Sequence, residues 1–317
     1  MTRHTTITII KAGVTLTALA ILASRIDLSR VGDAVRSFPI TWIPTMACLL
    51  IASLLFSTLK WQLVLKGLGQ TVDLLHLTRL FWVGQFFNTF LPGRTGGDIV
   101  RAVSLSGSQT TRSRAITSVA IDRGTNLLAL ATIAALAAIS DVQLPGHIRT
   151  VVWLTGTTAV VAACLLVAGR HRVVQLIPER YRDGLEALVP ADLVGVPMAR
   201  IAVLAISVQI LMIVTNIAAA RAMGLSISGL ALFTAIPITA IITALPVSIN
   251  GLGVREVAYA GLLSYFGIAP EEAVALSLVM TATIVGWSLI GGLLYVSVSG
   301  SGHQAKETVS VLRSVAR

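Results

Sequence analysis

Charged residues are scarce in this sequence. Asp, Glu, Lys and Arg make up 12% of its 317 residues, about half of the share that soluble domains carry, whereas 55% are hydrophobic. Several apolar runs reach the roughly 20 residues that a helix needs to cross the hydrocarbon core of a bilayer. The composition therefore excludes a soluble globular domain and predicts an all-α polytopic membrane protein.

Enzyme signatures are also missing. The sequence contains no H-E-x-x-H, G-x-S-x-G or Walker A motif, and its two cysteines, Cys48 and Cys164, lie apart in separate apolar runs. The five histidines are scattered, so no cluster of metal ligands is expected. We therefore expect no metal and no cofactor, and a transporter or accessory membrane protein rather than an enzyme.

Nucleic acid is not an expected partner, although the net charge is +10. The Lys and Arg residues lie mainly in loops between apolar runs and not in one stripe with interleaved aromatic residues. In such loops they set the orientation of a membrane protein. With a cytoplasmic N-terminus, most of them, including Lys60, fall in cytoplasmic segments. We therefore expect a multi-pass protein of the cell inner membrane with both termini in the cytoplasm.

Six apolar runs are predicted to span the membrane as complete helices, at residues 6–24, 41–59, 115–139, 150–168, 199–219 and 273–299. Two more apolar regions, 75–107 and 229–268, are interrupted by proline and glycine clusters. Proline lacks a backbone donor and glycine frees the φ angle, so a continuous helix is not expected there. The residues expected to break the helices are Pro92, Gly93, Gly96, Gly97, Pro246, Gly251 and Gly253.

The two interrupted regions resemble each other. "LPGRTGGDIVRA" and "LPVSINGLGVREVA" both lead from Leu-Pro through a glycine-rich turn into a helix with an acid and an arginine near its start. Polar backbone inside a bilayer must be buried in protein or line a water-filled cavity, so each region is predicted to form a re-entrant hairpin. The charge distribution fits two short full spans in each region equally well.

The chain is expected to be a single domain, 1–317, with weakly related inverted halves at about 1–149 and 150–317. In this arrangement the two hairpins enter the membrane from opposite sides. The one long loop, 170–198, is interpreted either as an amphipathic element on the inner leaflet or as a plain tether.

Charged residues cluster at the two interruptions and in the run at 115–139: Arg94, Asp98, Arg101, Asp122, Arg123, Arg255 and Glu256. An ionised side chain at the centre of a membrane helix costs at least about 2.5–3.5 kcal/mol, so chance is a poor explanation for the cluster. We interpret it as a polar, partly hydrated cavity near the membrane midplane. The alternative is that arginine–acid pairs only hold helices together, and Asp122 with Arg101 is expected to be such a pair.

The arginines favour a phosphate group as ligand, because their planar N–H donors match its oxygens. Asp98 and Glu256 would occupy nearby helix-start donors by capping, so a zwitterionic or hydroxyl-rich headgroup bearing a phosphate fits better than a bare anion. The candidate substrate-binding residues are Asn88, Arg94, Asp98, Arg101, Asp122, Arg123, Asn126, Asn250, Arg255 and Glu256.

Three segments carry a resemblance to a known family. "NTFLPGRTGGDIVRA" from Asn88, "AIDRGTNLLAL" from Ala120 and "ALPVSINGLGVREVAYAGLLSYFGI" from Ala244 resemble the membrane domain of lysylphosphatidylglycerol synthetases, a flippase-like family, over about residues 5–300. The positions that match its motifs are Asn88, Pro92, Arg94, Gly97, Asp98, Arg101, Asp122, Arg123, Pro246, Gly251, Gly253, Arg255 and Glu256. Glutamate is commoner at position 122, and glycine at position 250.

The resemblance implies paired re-entrant elements and translocation of a lipid headgroup across the bacterial cytoplasmic membrane. The synthetases carry a soluble aminoacyl-transfer domain after the membrane part, so a stand-alone flippase-like protein that does not make the lipid is expected here. Two alternatives are a non-catalytic scaffold for lipid or cell-envelope biosynthesis, and a membrane-embedded transferase with Asp98, Asp122 or Glu256 as general base. Candidate partners are membrane lipids, either phospholipid or lipid-linked sugar, and a separate lipid-synthesis enzyme.

Overall fold

The computed structural model describes residues 3–91, 96–106, 110–140, 143–168, 196–245 and 247–299. These residues form eleven α-helices and no strand, which confirms the all-α class. The helices are α1 Arg3–Arg25, α2 Leu28–Arg36, α3 Ile43–Gly67, α4 Leu74–Phe90, α5 Gly96–Ser106, α6 Arg112–Ser140, α7 Gly146–Ala168, α8 Val196–Ala222, α9 Gly229–Ala244, α10 Val254–Ser264 and α11 Pro270–Ser299. A short 3₁₀ turn, Ile40–Trp42, precedes α3.

Five helical segments are long and apolar enough to cross a membrane: Ile40–Gly67, Arg112–Ser140, Gly146–Leu165, Pro197–Ala222 and Pro270–Ser297. They coincide with the last five predicted spans. The first predicted span, 6–24, lies in α1. It adds a sixth candidate span only if Lys11–Arg25 and Leu28–Arg36, two helical segments bent by 93° relative to each other, are taken together as one. Large apolar side chains point outward, with Leu293 and Val296 exposed by 72% and 71%. The chain is a multi-pass membrane protein.

The helix interruptions predicted in 75–107 and 229–268 are both present. In the first region the 17-residue α4 packs against the 11-residue α5, and in the second the 16-residue α9 packs against the 11-residue α10. A helix of that shorter length extends only about 16 Å, roughly half of the hydrocarbon thickness. The predicted break residues Pro92, Gly93 and Pro246 lie outside the described residues.

The turn before α10 depends on left-handed backbone conformations. Asn250, Gly251 and Gly253 have φ angles of 54°, 80° and 76°. Glycine adopts such angles without steric cost, and asparagine tolerates them better than most other residues. Asparagine at position 250 is therefore compatible with the turn that the sequence predicts. The Thr15 hydroxyl of α1 accepts the Ile249 N–H at 3.0 Å, and α1 also packs against α10.

The chain divides into two compact units. Unit 1 comprises Met1–Ser53, Leu127–Val160 and Gln209–Ile284, and unit 2 comprises Leu54–Asn126, Val161–Val208 and Val285–Arg317. A core of unit 1 contains Leu22, Ile26, Val31, Val274 and Ala275. A core of unit 2 contains Trp61, Leu65, Val72, Leu77, Ala102, Leu105, Ala115 and Val119. The inverted halves at about 1–149 and 150–317 stay a prediction. Of the loop predicted at 170–198, residues 170–195 lie outside the described residues.

Candidate functional site

Five charged side chains of unit 2 form a connected series, called the charge chain below. In order of contact they are Lys60, Asp122, Arg101, Asp98 and Arg123, so that cations and carboxylates alternate. The closest N–O distances along the series are 3.0, 3.2, 3.6 and 2.6 Å. The helices α3, α5 and α6 supply these residues. The charge chain therefore joins the short helix α5 to two helices of membrane-spanning length.

Lys60 is completely buried at one end of the charge chain. Besides the Asp122 carboxylate, its ammonium group donates to the Asp122 carbonyl at 3.1 Å and to the Asn126 side-chain oxygen at 2.6 Å. The prediction that Lys60 lies in the segment after the span 41–59 is therefore wrong, because Lys60 is a buried residue of α3. Helix α3 continues past the predicted end at residue 59, because the apolar sequence after Lys60 extends the buried helix to Gly67.

Arg101 occupies the middle of the charge chain and is 3% exposed. Both terminal nitrogens of its guanidinium donate to one oxygen of Asp122 at 3.2 Å, which confirms the predicted pair. The guanidinium carbon also lies 4.1 Å from the Trp61 ring centre and 4.2 Å from that of Phe81. Trp61 is held in place by a 3.0 Å hydrogen bond from its indole N–H to Ser118. Arginine packed on aromatic faces is stabilised as a cation.

Asp98 and Arg123 form the other end of the charge chain. The Arg123 Nε donates to Asp98 at 2.6 Å, and Arg123 is the most exposed member, with 44% of its side chain accessible. Whether Asp98 caps its own helix start stays a prediction, because residues 92–95 lie outside the described residues. The Asn88 side-chain oxygen accepts the Gly97 N–H at 2.9 Å, so Asn88 stabilises the start of α5.

The position of the charge chain along α6 and its formal net charge both bear on its chemistry. Arg123 lies eleven residues after Arg112, the first residue of α6, which is about 16 Å along the helix axis. That distance is about half of the hydrocarbon thickness. The five side chains comprise three cations and two carboxylates, so the series as a whole carries one excess positive charge.

Glu256 is the centre of a second polar cluster, which lies in unit 1. Its carboxylate is 3% exposed and accepts the Gly253 N–H at 2.7 Å and the Ser277 hydroxyl at 3.1 Å. Glu256 thus caps the start of α10, as expected from the sequence, and attaches that helix to α11. All the donors that reach it among the described residues are neutral.

Arg255 lies beside Glu256 but has different partners. One terminal nitrogen donates to the Thr281 hydroxyl at 2.7 Å and the other to the Asn250 carbonyl at 3.1 Å. Within the part of the chain that the structure describes, no carboxylate lies within 4.0 Å of this guanidinium. A partly buried arginine that has only neutral acceptors retains the capacity to bind an anion.

Unit 1 also contains a buried side-chain hydrogen bond that the sequence analysis did not predict. Tyr259, 5% exposed, donates its hydroxyl to the Asn216 side-chain oxygen at 2.7 Å. The Asn216 amide in turn donates to the Met212 carbonyl one helical turn earlier. A lone asparagine in an apolar helix was the only sequence signal for this pair.

The predicted binding residues thus fall into two groups. Asp98, Arg101, Asp122 and Arg123 belong to the charge chain in unit 2, Asn126 contacts it through Lys60, and Asn88 supports α5. Asn250, Arg255 and Glu256 belong to unit 1, and Arg94 lies outside the described residues. Lys60, Trp61, Phe81, Ser277 and Thr281 were missed. A single cavity lined by both groups remains a prediction.

Comparison with known proteins supports the resemblance seen in the sequence. The family model described as the lysylphosphatidylglycerol synthase TM region matches residues 8–292, a range that contains both polar clusters. No functionally curated protein matches the chain.

Proposed function

The chain belongs to the family of the lysylphosphatidylglycerol synthase transmembrane region, and on this premise we propose that it moves a phospholipid or lipid-linked headgroup across the bacterial cytoplasmic membrane. Membership makes it a membrane protein tied to the handling of lipids and their headgroups. Translocation is the finer step that we propose. In this proposal the lipid changes leaflet and its covalent structure stays unchanged.

The observation that carries the proposal is the position of Arg123. A 44% exposed arginine lies about halfway along a membrane-length helix and is held by Asp98 of a short helix. Charge at this depth is costly in hydrocarbon, so it is stabilised where water or a polar headgroup reaches it. A guanidinium also matches phosphate oxygens with paired N–H donors. The Arg123–Asp98 pair therefore suits a site through which a phosphate-bearing headgroup passes.

The two pairs of short helices provide the second support. An 11-residue helix is too short to cross the bilayer alone, and each one follows a break and packs on the preceding helix. We propose that α4–α5 and α9–α10 are re-entrant hairpins. Interrupted helices in both parts of a chain are the typical position of a transporter's binding site, because their freed backbone groups face a polar cavity.

The proposal is tested with purified protein in liposomes that contain tail-labelled phosphatidylglycerol or phosphatidylethanolamine. Dithionite bleaches only the label in the outer leaflet, so protein-dependent loss of the remaining signal measures translocation. We expect the wild type to move labelled lipid and Arg123→Gln to lose most of this activity. Arg114→Gln is the matched control, because Arg114 lies on the same helix and is exposed near its start.

Two results would overturn translocation: wild-type vesicles that bleach no further than protein-free vesicles, or Arg123→Gln activity equal to that of the wild type. Mass spectrometry of the lipid recovered from the same vesicles tests the transferase alternative, which requires a change in lipid mass. Folded protein that neither moves nor changes a lipid would leave a scaffold for lipid-synthesis enzymes as the remaining candidate.

A further inference from the structure

We propose that the Lys60 ammonium group is a tethered monovalent cation, and that the oxygen-lined site around it binds K⁺ or a similar ion when the lysine is removed. The wild-type protein then supplies its own cation between α3 and α6 and needs no free ion there. One consequence, that the wild type moves lipid without a K⁺ or Na⁺ ion at Asp122, rests on the proposed function.

Four oxygen atoms surround the Lys60 nitrogen, and all of them come from one turn of α6. They are the Asp122 carboxylate at 3.0 Å, the Asp122 carbonyl at 3.1 Å, the Thr125 hydroxyl at 3.3 Å and the Asn126 side-chain oxygen at 2.6 Å. Backbone carbonyls replace the water shell of K⁺ in channel filters, and carboxylate and amide oxygens bind hard cations in a similar way. The lysine nitrogen therefore occupies a position at which a small cation can be coordinated.

The ammonium group does not use all of these oxygen atoms as hydrogen-bond acceptors. It has three N–H donors, and hydrogen bonds join it to the Asp122 carbonyl, Thr125 and Asn126. The fourth oxygen, Oδ1 of Asp122, is buried 3.0 Å away and accepts no hydrogen bond from the part of the chain that the structure describes. A spherical ion attracts oxygen atoms from any direction, so it can engage all four.

Charge and distance favour a monovalent ion over a divalent one. Among the described residues, Asp122 is the one carboxylate in contact with Lys60, and its other oxygen accepts two hydrogen bonds from Arg101. Ca²⁺ takes about six to eight oxygen ligands at about 2.3–2.6 Å, a shell that is larger in number and tighter than this one. The ammonium group is a compact point charge of nearly the size of K⁺, so K⁺ fits the existing distances.

Truncation of Lys60 leaves both space and charge behind. The lysine side chain is 0% exposed and that of Asp122 is 2% exposed. Lys60→Ala removes the chain from Cγ to Nζ, which leaves room for an ion and a water molecule. It also leaves a buried carboxylate without one of its cations, and a carboxylate in low-dielectric surroundings attracts a cation strongly. Lys60→Met fills most of the same space and leaves no room for an ion.

The experiment compares melting temperatures of protein purified in detergent in equal concentrations of potassium, ammonium, sodium or choline chloride. We expect Lys60→Ala to melt about 2–4 °C higher in potassium or ammonium chloride than in choline chloride, because a bound ion stabilises the folded state alone. The wild type and Lys60→Met should show no such difference. Lys66→Ala, which truncates an exposed lysine of the same helix, is the matched control and should also show none.

A double variant tests the proposed shell itself. Lys60→Ala/Thr125→Val lacks one of the oxygen atoms but keeps the branched shape of the side chain, so it should need several-fold more K⁺ for half of the stabilisation. An unchanged K⁺ requirement would overturn the site, as would equal melting of Lys60→Ala in potassium and choline chloride. If Lys60→Ala folds only in potassium or ammonium chloride, the site is supported. Failure of both Lys60→Ala and Lys60→Ser to fold in any of the salts would overturn it, because the ions then do not replace the ammonium group.

The liposome assay tests the consequence for transport separately. With the same salt on both sides of the membrane, exchange of potassium for choline chloride should leave wild-type lipid movement unchanged and slow that of Lys60→Ala. An equal response of the two proteins would overturn this consequence and leave the melting result intact. If no lipid moves in any salt, the proposed function is overturned, whereas the cation site is still decided by the melting curves.

Discussion

Gly97 of α5 lies so close to Gly84 of α4 that a Cβ atom on Gly97 would overlap the Gly84 carbonyl group. On the other side of this contact, a Cβ on Gly84 would come within 2.7 Å of the Cγ and Cδ atoms of Arg101. The two glycines therefore set the distance between the helices of the first hairpin. They also leave the space through which the Arg101 side chain reaches Asp122 at 3.2 Å.

Gly97→Ala should destabilise the protein, because backbone cannot move aside as a side chain can. We expect a loss of about 1–3 kcal/mol, typical of overpacking, seen as a lower melting temperature in detergent micelles. Gly84→Ala should also destabilise the protein, since the Arg101 Cγ and Cδ atoms that its methyl group would meet belong to a buried side chain held by Asp122. Gly124→Ala is the control, because nothing lies within 4 Å of its added Cβ on α6. Equal melting of Gly97→Ala and Gly124→Ala would contradict the close approach.

The charge chain predicts an order of stability among its own variants. Asp122→Asn leaves Lys60 and Arg101 buried without their shared carboxylate, and breaking a buried pair in this way typically costs about 3–5 kcal/mol. Lys60→Met should lower the free energy of unfolding by less than Asp122→Asn does, because the two cations and two carboxylates that remain balance each other. Thermal unfolding of both variants in the same detergent gives the order. A larger loss for Lys60→Met would show that the ammonium group, not the carboxylate, holds the series together.

The neighbours Arg255 and Glu256 should separate into a functional and a structural residue. Glu256→Gln can keep its oxygen on the Gly253 N–H and donate its amide N–H to the Ser277 hydroxyl, so it loses only the extra strength of a charged acceptor, about 1 kcal/mol. Arg255→Gln removes a partly buried cation with neutral partners, so we expect reduced lipid movement and a nearly unchanged melting temperature. Melting curves and the liposome assay on both variants test this. The assignment fails if Arg255→Gln unfolds the protein while Glu256→Gln only slows transport.

The helices and their interruptions were predictable because each depends on local sequence. Apolar runs of sufficient length, and glycines beside proline, indicate spans and breaks without knowledge of the tertiary structure. The Asp122–Arg101 pair was also predictable, since both residues stand in apolar surroundings where a lone charge is costly. Family resemblance supported the same residues.

The role of Lys60 was not predictable in this way. A lysine at the end of an apolar run ordinarily marks a loop, and the partner that buries it, Asp122, is 62 residues away along the chain. Similarly, no local pattern indicated that Asn88, which was interpreted as a ligand residue, also caps the start of α5 across nine residues. Nothing in a single glycine within an apolar helix indicates that Gly84 faces Gly97. These contacts depend on how helices pack, which local patterns do not specify.

Two glycines of unit 1 share a backbone conformation but differ in their surroundings, and this difference gives the last prediction. Gly253 and Gly267 have φ angles of 76° and 77°. A Cβ on Gly267 would meet open space, whereas one on Gly253 would lie 2.9 Å from the Cβ of Ala18 and 3.0 Å from the Thr15 carbonyl oxygen. Only Gly253 therefore lies at a close contact between the turn before α10 and helix α1.

Gly267→Ala should cost only the penalty for a left-handed residue, about 1–2 kcal/mol. Gly253→Ala should add an overpacking cost of about 1–3 kcal/mol, because α1 must move to accept the methyl group. Melting temperatures of the two variants in one detergent isolate the second cost, since the first is common to both. Equal losses would mean that α1 yields freely, and the contact would then contribute little to holding the turn that positions Arg255.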